Sequence, residues 1–493
     1  MHLSNLIAPT EGALFFGEDR HITGIASDSR EVKEGFLFIA VTGTKKNGQD
    51  FIPDALKRGA AAVLSQTGTD KKNVPDSVTL VTVEDVRLAL SKIASRFYPH
   101  QPSVIAAVTG TSGKTSTVQF TRELWEQSSH KAASIGTLGL ITQDIKRYGS
   151  LTTPDPITLH QTIDETALMG VTHLCMEASS HGIELGRLDH VDVSVAAFTN
   201  LSRDHLDYHE TMENYLAAKL RLFTTLLKEN GTAVLNADIP EYQKIKDVCA
   251  ARNLKVLSFG KEADGNIKLL DHKPEGQGQR LWIELFGKPY DVLLPLIGSF
   301  QAANSLCALA IAIASGQDPE KTVVALSKLS GVSGRLELIG TTPSGGSVFV
   351  DYAHKPAALE HVLKAMRPHV AENTGARLHV IFGCGGNRDK GKRPLMGKIS
   401  EDLADRIIVT DDNPRQEQAD VIRQEILAGC KKGPNLREIG NRAEAIRKGI
   451  NDLAAHDVLV IAGKGHEEGQ LVGDKVLPFN DATVARTVLK ELE

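Results

Sequence analysis

At 493 residues the chain exceeds what one hydrophobic core supports, and about three domains of roughly 100–200 residues each are expected. A composition of 41% apolar and 24% charged residues is that of an ordinary soluble protein, and a formal charge of −5 argues against a nucleic-acid partner, which calls for a basic face. No apolar run reaches the ~18 residues of a membrane span. "MHLSNLIAPTEG" lacks the basic and apolar regions of a signal peptide, and five scattered cysteines without a C-x-x-C pair fit reduced thiols in the cytoplasm.

Short apolar runs alternate with helical patterns along the chain, the signature of parallel α/β architecture. "GFLFIAVTG" (35–43) and "AAAVLSQ" (60–66) read as strands. The helical "VRLALSKIASRFY" (86–98) then runs into the Pro-rich "PHQPS" (99–103), a first boundary. The next segment opens on the strand "SVIAAVTG" (103–110), followed by a helix from about Ser116 to Gln127. "VTHLCMEASSH" (171–181) and "VSVAAFTNLS" (193–202) are buried strands ending in polar residues, where open α/β sheets place ligands. "ENYLAAKLRLFTTLL" (213–227) reads as one amphipathic helix, and "PLIGSFQAANSLCALAIAIASG" (295–316) as a glycine turn feeding an Ala-rich helix. After a boundary near "SGVSGRLE" (330–337), the strands "GSVFVDYAH", "RLHVIFGCGG", "RIIVTDDNPR" and "DVLVIAGKGHE" each deliver polar residues at their C-terminal ends.

"TGTSGKTST" (109–117) departs from the common phosphate loop G-x-x-x-x-G-K-[ST], which needs glycine at the position of Val108. Strand, Gly110, Gly113, Lys114, Thr115 and helix in that order still place backbone N–H groups and a helix N-terminus around an anion. Lys114 then neutralises phosphate oxygens and the Thr115 hydroxyl ligates Mg²⁺, the competing reading being a glycine turn without nucleotide. Glu177, His205 and Asp207 are metal-ligand types near strand ends. His205 and His209, four apart, would share a helix face as a zinc pair, but the glutamate of H-E-x-x-H is missing. One or two ligands to Mg²⁺ beside a triphosphate is the better functional reading, with each histidine otherwise a satisfied polar residue. Nothing in the pattern marks Lys219, which reads as a solvated lysine. "NRDKGKRP" gathers Arg388, Lys390, Lys392 and Arg393 after a strand end, as a solvated basic loop or an anion site. Pro414 fixes a turn and extends Asn413, and Arg415 held that way suits bidentate capture of a carboxylate. Cys384 reads as a small buried residue in a glycine turn rather than a reactive thiol.

Together "TGTSGKTS", "MEASSH", "TNLSRDHLDYH", "AAK", "GRLE", "VDYAH" and "DNPR", in this order across the chain, resemble the Mur ligases, the ATP-dependent amide-forming enzymes of peptidoglycan precursor synthesis. "DSR" near the N-terminus, "LTTPDP", "GCGGNRDKGKRP" and "AGKGHE" are similar to the branch that extends UDP-N-acetylmuramoyl-L-Ala-D-Glu. Within it "DNPR" accompanies addition of meso-diaminopimelate, whose far carboxylate Arg415 can pair; lysine has none.

The resemblance implies an α/β protein of three domains. These are a UDP-binding domain over 1–100, a P-loop ATPase-type domain with a mainly parallel sheet over 101–332, and a Rossmann-like amino-acid-binding domain over 333–493. It implies that Gly110, Thr111, Ser112, Gly113, Lys114, Thr115 and Ser116 hold the ATP phosphates, with Asn304, Arg335, Asp351 and His354 closing the nucleotide site. Ser27 and Ser29 are implied to contact uridine, and Thr152, Thr153, Ser179 and Arg187 the muramoyl-peptide. Arg388, Asp412, Asn413, Pro414, Arg415, Gly463 and Glu467 are implied to make the incoming amino-acid pocket. Lys114, Lys219, His205 and Glu177 are the implied catalytic set, and Thr115, Glu177, His205 and Lys219 the ligands of two Mg²⁺ ions. Lys219 matches the family's carbamylated lysine, in which carbon dioxide turns a cation into an anionic ligand. The implied reaction is attack of the D-Glu γ-carboxylate on ATP to give an acyl phosphate and ADP, then displacement of phosphate by the diaminopimelate amine. The expected enzyme is a cytoplasmic monomer without nucleic-acid or membrane partners. The same ligation with L-lysine, a folylpolyglutamate-synthetase-like ligase and a nucleotide-gated binding module are the alternatives.

Overall fold

The computed structural model describes residues 1–7, 10, 12–43, 47–149, 151–263, 265–370 and 375–492. They form two compact units, Met1–Lys268 with Leu306–Thr322, and Leu269–Ser305 with Val323–Glu493.

The first unit carries two sheets. The N-terminal sheet runs in the order Leu14–Phe16, Thr79–Val83, Ala62–Gln66, Phe36–Ile39, Gly24–Ala26, all pairings parallel except that of Leu14–Phe16. Helix Val86–Phe97 lays Val86, Leu90 and Ile93 against Leu37, Leu64 and Val81 of this sheet. Its start is set by Asp85, whose carboxylate accepts from the N–H groups of Arg87 and Leu88.

In the second sheet the strand Val104–Thr109 is central, paired in parallel with His173–Glu177 on one side and Val193–Phe198 on the other. Ala132–Gly136 continues beyond the first neighbour, Thr232–Asn236 and Lys255–Gly260 beyond the second, all parallel. These strands are buried on both faces, which is why they read as unbroken apolar runs rather than alternating ones. The chain leaves Val104–Thr109 for Ala132–Gly136, returns to His173–Glu177 beside it, then crosses to Val193–Phe198 on its far side. Strand order thus reverses around Val104–Thr109, and such a switch point opens a crevice at the strands' C-terminal ends.

Two helices differ from expectation. The helix expected from Ser116 begins at Lys114, because Gly113 takes φ +85 as its N-cap and turns the loop directly into the first turn. The segment 213–227 is not one amphipathic helix: Met212–Arg221 is α-helical and Leu222–Leu226 is a π turn that sets Leu222 and Phe223 into the core.

The second unit holds a sheet in the order Glu337–Thr341, Ser347–Asp351, Val458–Ala462, Leu378–Phe382, Arg406–Val409, Leu436–Glu438. Only Glu337–Thr341 runs antiparallel, and apolar clusters cover both faces. The hairpin of Gly278–Leu285 with Lys288–Leu294 lies outside the elements expected from sequence. Its turn residues Phe286 and Gly287 both have positive φ (+49° and +80°), the type I′ requirement usually met by Asn-Gly. A second hairpin joins Gly469–Val472 to Lys475–Pro478. No helix among the described residues is long and apolar enough to cross a membrane.

Candidate functional site

In the first unit the loop after Val104–Thr109 is held by its neighbour strand's end. Asn200 accepts from Ser112 N–H through Oδ1 (2.9 Å), donates to Ser112 O through Nδ2 (3.1 Å), and its own carbonyl accepts from Thr111 N–H (2.9 Å). Thr199 Oγ1 donates to Ser112 O (2.7 Å). This close approach needs Gly110: a Cβ there, at φ +142, would lie 2.0 Å from Thr199 Oγ1. The loop therefore hands over to the 14-residue helix Lys114–Gln127, whose first N–H groups have no intrahelical partner, with its shape already set. An anion at that terminus meets oriented donors and the positive end of the helix dipole.

Two ammonium groups converge there. Lys114 Nζ donates to Gly110 O (2.8 Å) and Thr111 O (3.0 Å), and Lys219 Nζ donates to the same Gly110 O (2.9 Å). Lys219 is fully buried, with its Nζ 4.3 Å from the centroid of the Tyr215 ring. The reading of Lys219 as a solvated lysine is thus overturned: helix Met212–Arg221 turns this position into the core. Burial first, and then the Lys114 charge, push its ammonium well below the usual lysine range.

Glu177 ends the strand on the other side of the loop strand. It is buried, and its carboxylate accepts from Thr137 N–H (2.8 Å) and Thr137 Oγ1 (3.3 Å). Gly136 makes the room, since a Cβ there would lie 2.2 Å from Glu177 Oε1. Thr152 Oγ1 is 3.1 Å from Thr137 Oγ1. Thr153 Oγ1 donates to Glu177 O (2.9 Å) and accepts from Ser179 N–H and Ser179 Oγ (3.0 Å each), while Arg187 Nη1 donates to Thr153 O (2.7 Å). Thr152, Thr153, Glu177, Ser179 and Arg187 thus form one bonded group. Ser27, exposed, and Ser29, buried beside Asp54, sit on the turn after Gly24–Ala26 of the N-terminal sheet.

The zinc pair does not form. His205 has a left-handed backbone (φ +53) at the start of the short helix Leu206–His209 and turns its ring toward His181 and Tyr215. His209 is buried, with Nε2 2.9 Å from Ser180 Oγ and Nδ1 3.3 Å from Glu184 Oε2. No group of three His, Cys, Asp or Glu side chains among the described residues stands ready to hold a metal ion. A set of Thr115, Glu177, His205 and a modified Lys219 includes only two such residues and is compatible with that finding.

In the second unit Ser347–Asp351, Val458–Ala462, Leu378–Phe382 and Arg406–Val409 lie side by side, so their C-terminal loops meet. Asp351 is buried and accepts from Leu336 N–H and Ala353 N–H (2.8 Å each); burial raises its carboxyl above the usual range. The Arg335 guanidinium lies 4.8 Å from the Tyr352 ring centroid, and His354 Nδ1 is 2.9 Å from Tyr352 O. Gln301 links this group to Asn304: its Nε2 donates to Arg335 O (3.3 Å) and its Oε1 accepts from Asn304 Nδ2 (3.0 Å).

The loop Asp412–Arg415 is held by segments distant in sequence. Arg415 adopts φ +53 because its N–H donates to Leu471 O (3.0 Å) and its carbonyl accepts from Gly473 N–H (2.7 Å), pinning it to the hairpin. Its Nη1 donates to Gly386 O (3.0 Å). A Cβ on Gly386 would lie 1.9 Å from Pro414 O, and one on Gly385 would lie 2.8 Å from Arg415 Nη1 and 3.7 Å from Arg388 Cγ. Arg388 and Arg415 therefore flank the same glycine. Glu467 Oε2 accepts from Asn413 Nδ2 (2.9 Å), and Gly463 passes close to Asp412, where a Cβ would lie 2.8 Å from Oδ2.

The basic run after Gly386 is neither one anion site nor one solvated loop. Arg393 is fully buried between Glu417 and Glu425, Lys390 faces Glu417, Lys392 donates to His354 O, and Arg388, exposed, donates to the neighbouring Asn387 O. Cys384 is buried, and burial pushes its thiol up to about 12, as expected of an inert cysteine.

Sequence reasoning passed over Asn200, Arg442, Lys464 and Gln470. Buried Arg442 pairs with Asp481 through two 2.7 Å bonds and donates to Ala462 O (2.9 Å) and Asp411 O (3.3 Å), tying two strand ends together. In sequence it is an ordinary residue of a helix start. Gln470 Nε2 donates to Asp412 O (2.7 Å). Lys464 left a signal, a lysine between two glycines at a strand end.

A strand, a glycine loop and a helix start at a switch point, with charged residues gathered separately at the strand ends of the second unit, define an α/β protein of the phosphate-loop class. Family models agree: Mur ligase family, catalytic domain, matches residues 21–98, Mur ligase middle domain 108–312, and Mur ligase, glutamate ligase domain, 334–465. The chain belongs to the Mur ligase family, whose members are ATP-dependent amide-forming ligases. It is 48% identical over 486 residues to a UDP-N-acetylmuramoyl-L-alanyl-D-glutamate--2,6-diaminopimelate ligase of Mesorhizobium japonicum, covering 98% of each chain. With the protein of the same name from Bradyrhizobium diazoefficiens it shares 50% identity over 463 residues and 93% of each chain. A solved structure of a ligase bearing that name is 34% identical, with a TM-score of 0.71 over 95% of both chains.

Proposed function

We propose that the chain joins meso-diaminopimelate to the D-Glu γ-carboxylate of UDP-N-acetylmuramoyl-L-Ala-D-Glu, with ATP converted to ADP and phosphate, in cytoplasmic peptidoglycan precursor synthesis. Residues 1–100 take the uridine end through Ser27 and Ser29, 101–332 the nucleotide, and 333–493 the amino acid.

The loop Gly110–Ser116 receives the ATP phosphates on the N–H groups around the start of helix Lys114–Gln127. Lys114, now folded back on two loop carbonyls, exchanges these for phosphate oxygens and offsets their charge as the carboxylate attacks. Thr115, Glu177 and His205 would hold Mg²⁺, which when bound supplies charge neutralisation between phosphates and carboxylate. The low basicity of Lys219 supports a carbamate there as a further anionic ligand. Asn304, Arg335, Asp351 and His354 serve the nucleoside end. Thr152, Ser179 and Arg187 meet the muramoyl-peptide, and Thr153, whose hydroxyl is already fully bonded, acts by holding Ser179 and Arg187.

The observation that carries the choice of amino acid is Arg415, locked by the hairpin beside Arg388. A guanidinium so fixed matches the far carboxylate of diaminopimelate, while Glu467 Oε1, which makes no hydrogen bond among the described residues, matches the neighbouring ammonium. Lysine would leave the guanidinium unpaired. Phosphate release in the presence of the UDP-muramoyl-dipeptide is expected with meso-diaminopimelate far above L-lysine or L-ornithine. Arg415→Ala should collapse that preference, and an unchanged ratio would overturn the assignment.

A further inference from the structure

Lys464 is fully buried, yet nothing in the reaction above uses it. Its Nζ donates to Asn413 Oδ1 (3.0 Å) and to Glu467 Oε2 (2.8 Å). Asn413 Oδ1 also accepts from Leu471 N–H (2.9 Å), and Asn413 Nδ2 donates to Glu467 Oε2. With two donors converging on one side of the amide, only one orientation is satisfied: oxygen toward Lys464, NH₂ toward Glu467. The same ammonium and that NH₂ both occupy Oε2 of Glu467, leaving Oε1 for another donor.

The backbone is shaped to deliver this lysine inward. Gly463 (φ +116) and Gly465 (φ +53) flank it, and a Cβ on Gly465 would lie 2.7 Å from Tyr352 Cβ. Gly334 closes from outside, where a Cβ would lie 2.3 Å from His466 N. A buried ammonium is costly to desolvate and is a poor way to gain stability. Its geometry instead joins Glu467 to Asn413, whose carbonyl lies 3.4 Å from Arg415 Nη1.

We propose that Lys464 is a positioning residue for the incoming amino acid: it fixes the Asn413 amide and pins one oxygen of Glu467, so that the other faces the substrate's far ammonium. This rests on the assignment of diaminopimelate to the second unit. In Lys464→Met the apolar stem is kept, Asn413 Oδ1 loses one of its two donors, and Glu467 Oε2 loses its charged partner and keeps only the Asn413 amide. The full-length enzyme should then show a KM for meso-diaminopimelate raised tenfold or more, with kcat within about threefold and the KM for ATP unchanged. In a Glu467→Gln background the same substitution should change that KM by less than about threefold, because the carboxylate to be held is gone. An unchanged diaminopimelate KM in Lys464→Met, or equal effects in both backgrounds, would overturn the positioning role. If Lys464→Met does not fold, Lys464→Gln, which keeps a donor without the charge, is measured in its place against the same criteria. Failure of the wild-type enzyme to use diaminopimelate would instead overturn the functional assignment, so the two failures are distinguishable.

Discussion

The loop at 110–116 and the loop at 412–415 both follow a parallel strand and both face a charged ligand in the proposed reaction, yet they are held differently. The first is contiguous with helix Lys114–Gln127 and is braced by two successive residues of the adjacent strand end, Thr199 and Asn200. The second takes its shape from Gly385 and Gly386 before it and from Lys464, Gln470, Leu471 and Gly473 after it. In the proposed reaction the phosphate site needs only backbone N–H groups and one lysine. A site that must tell diaminopimelate from lysine needs side chains fixed from several directions, because discrimination depends on leaving the wrong substrate's partner group unpaired.

That contrast is broken most sharply at Lys114. Lys114→Met should cut the rate of phosphate release by about 10²–10³-fold or more, the scale of removing one preorganised charge donor, while the thermal midpoint stays put. Near-normal turnover would mean that the loop works by backbone alone. A smaller effect is expected at Gly386→Ala, which drives a methyl group to 1.9 Å from Pro414 O. Displacing the Asp412–Arg415 loop should raise the diaminopimelate KM by tenfold or more and cost about 1–3 kcal/mol of stability, with ATP affinity unchanged. An unaltered KM in that variant would show that the loop's position does not depend on this contact.

The smallest effect separates the frame of the first unit from its chemistry. His160 Nε2 lies 3.0 Å from Asp189 O, and its Nδ1 is buried with no partner among the described residues. Protonation would create a buried N–H without an acceptor, and burial lowers the ring's pKa to about 4. The folded protein therefore binds fewer protons than the unfolded chain between about 6.5 and 4. Stability from this group is whole above that window and falls by about 1.4 kcal/mol per pH unit within it as the solution is acidified. His160→Gln, which keeps a donor for Asp189 O, should flatten the acid limb of urea-midpoint curves by that amount. Identical slopes in the two proteins would assign the acid response to other groups.

Wherever the residues that set a local shape are contiguous, that shape was legible. "TGTSGKTST" announces its loop because the turn glycines, the lysine and the helix start are neighbours in the chain, and the buried parallel strands announce themselves as short apolar runs. The hairpin at 278–294 escaped because Phe286-Gly287 makes a turn normally signalled by Asn-Gly. Lys219 was misread because helical spacing alone does not say that its face is turned to the core. The cluster at 388–393 was misread because Glu417 and Glu425, which bury Arg393, come later in the chain.

By itself the sequence determined the α/β class, the strand–glycine loop–helix order around Lys114 and, through its family motifs, the charged residues at strand ends. Tertiary structure alone decided what those charges face. Strand order brings Glu177 and Asn200 to either side of one loop, and close glycine contacts let Arg415 and Arg388 share a surface. The physical reason is that hydrogen bonds and Coulomb forces act over a few ångströms of space, whatever the separation along the chain. Lys464 is the clearest case: two flanking glycines hint at a turn, but only the fold shows that its ammonium ends between Asn413 and Glu467.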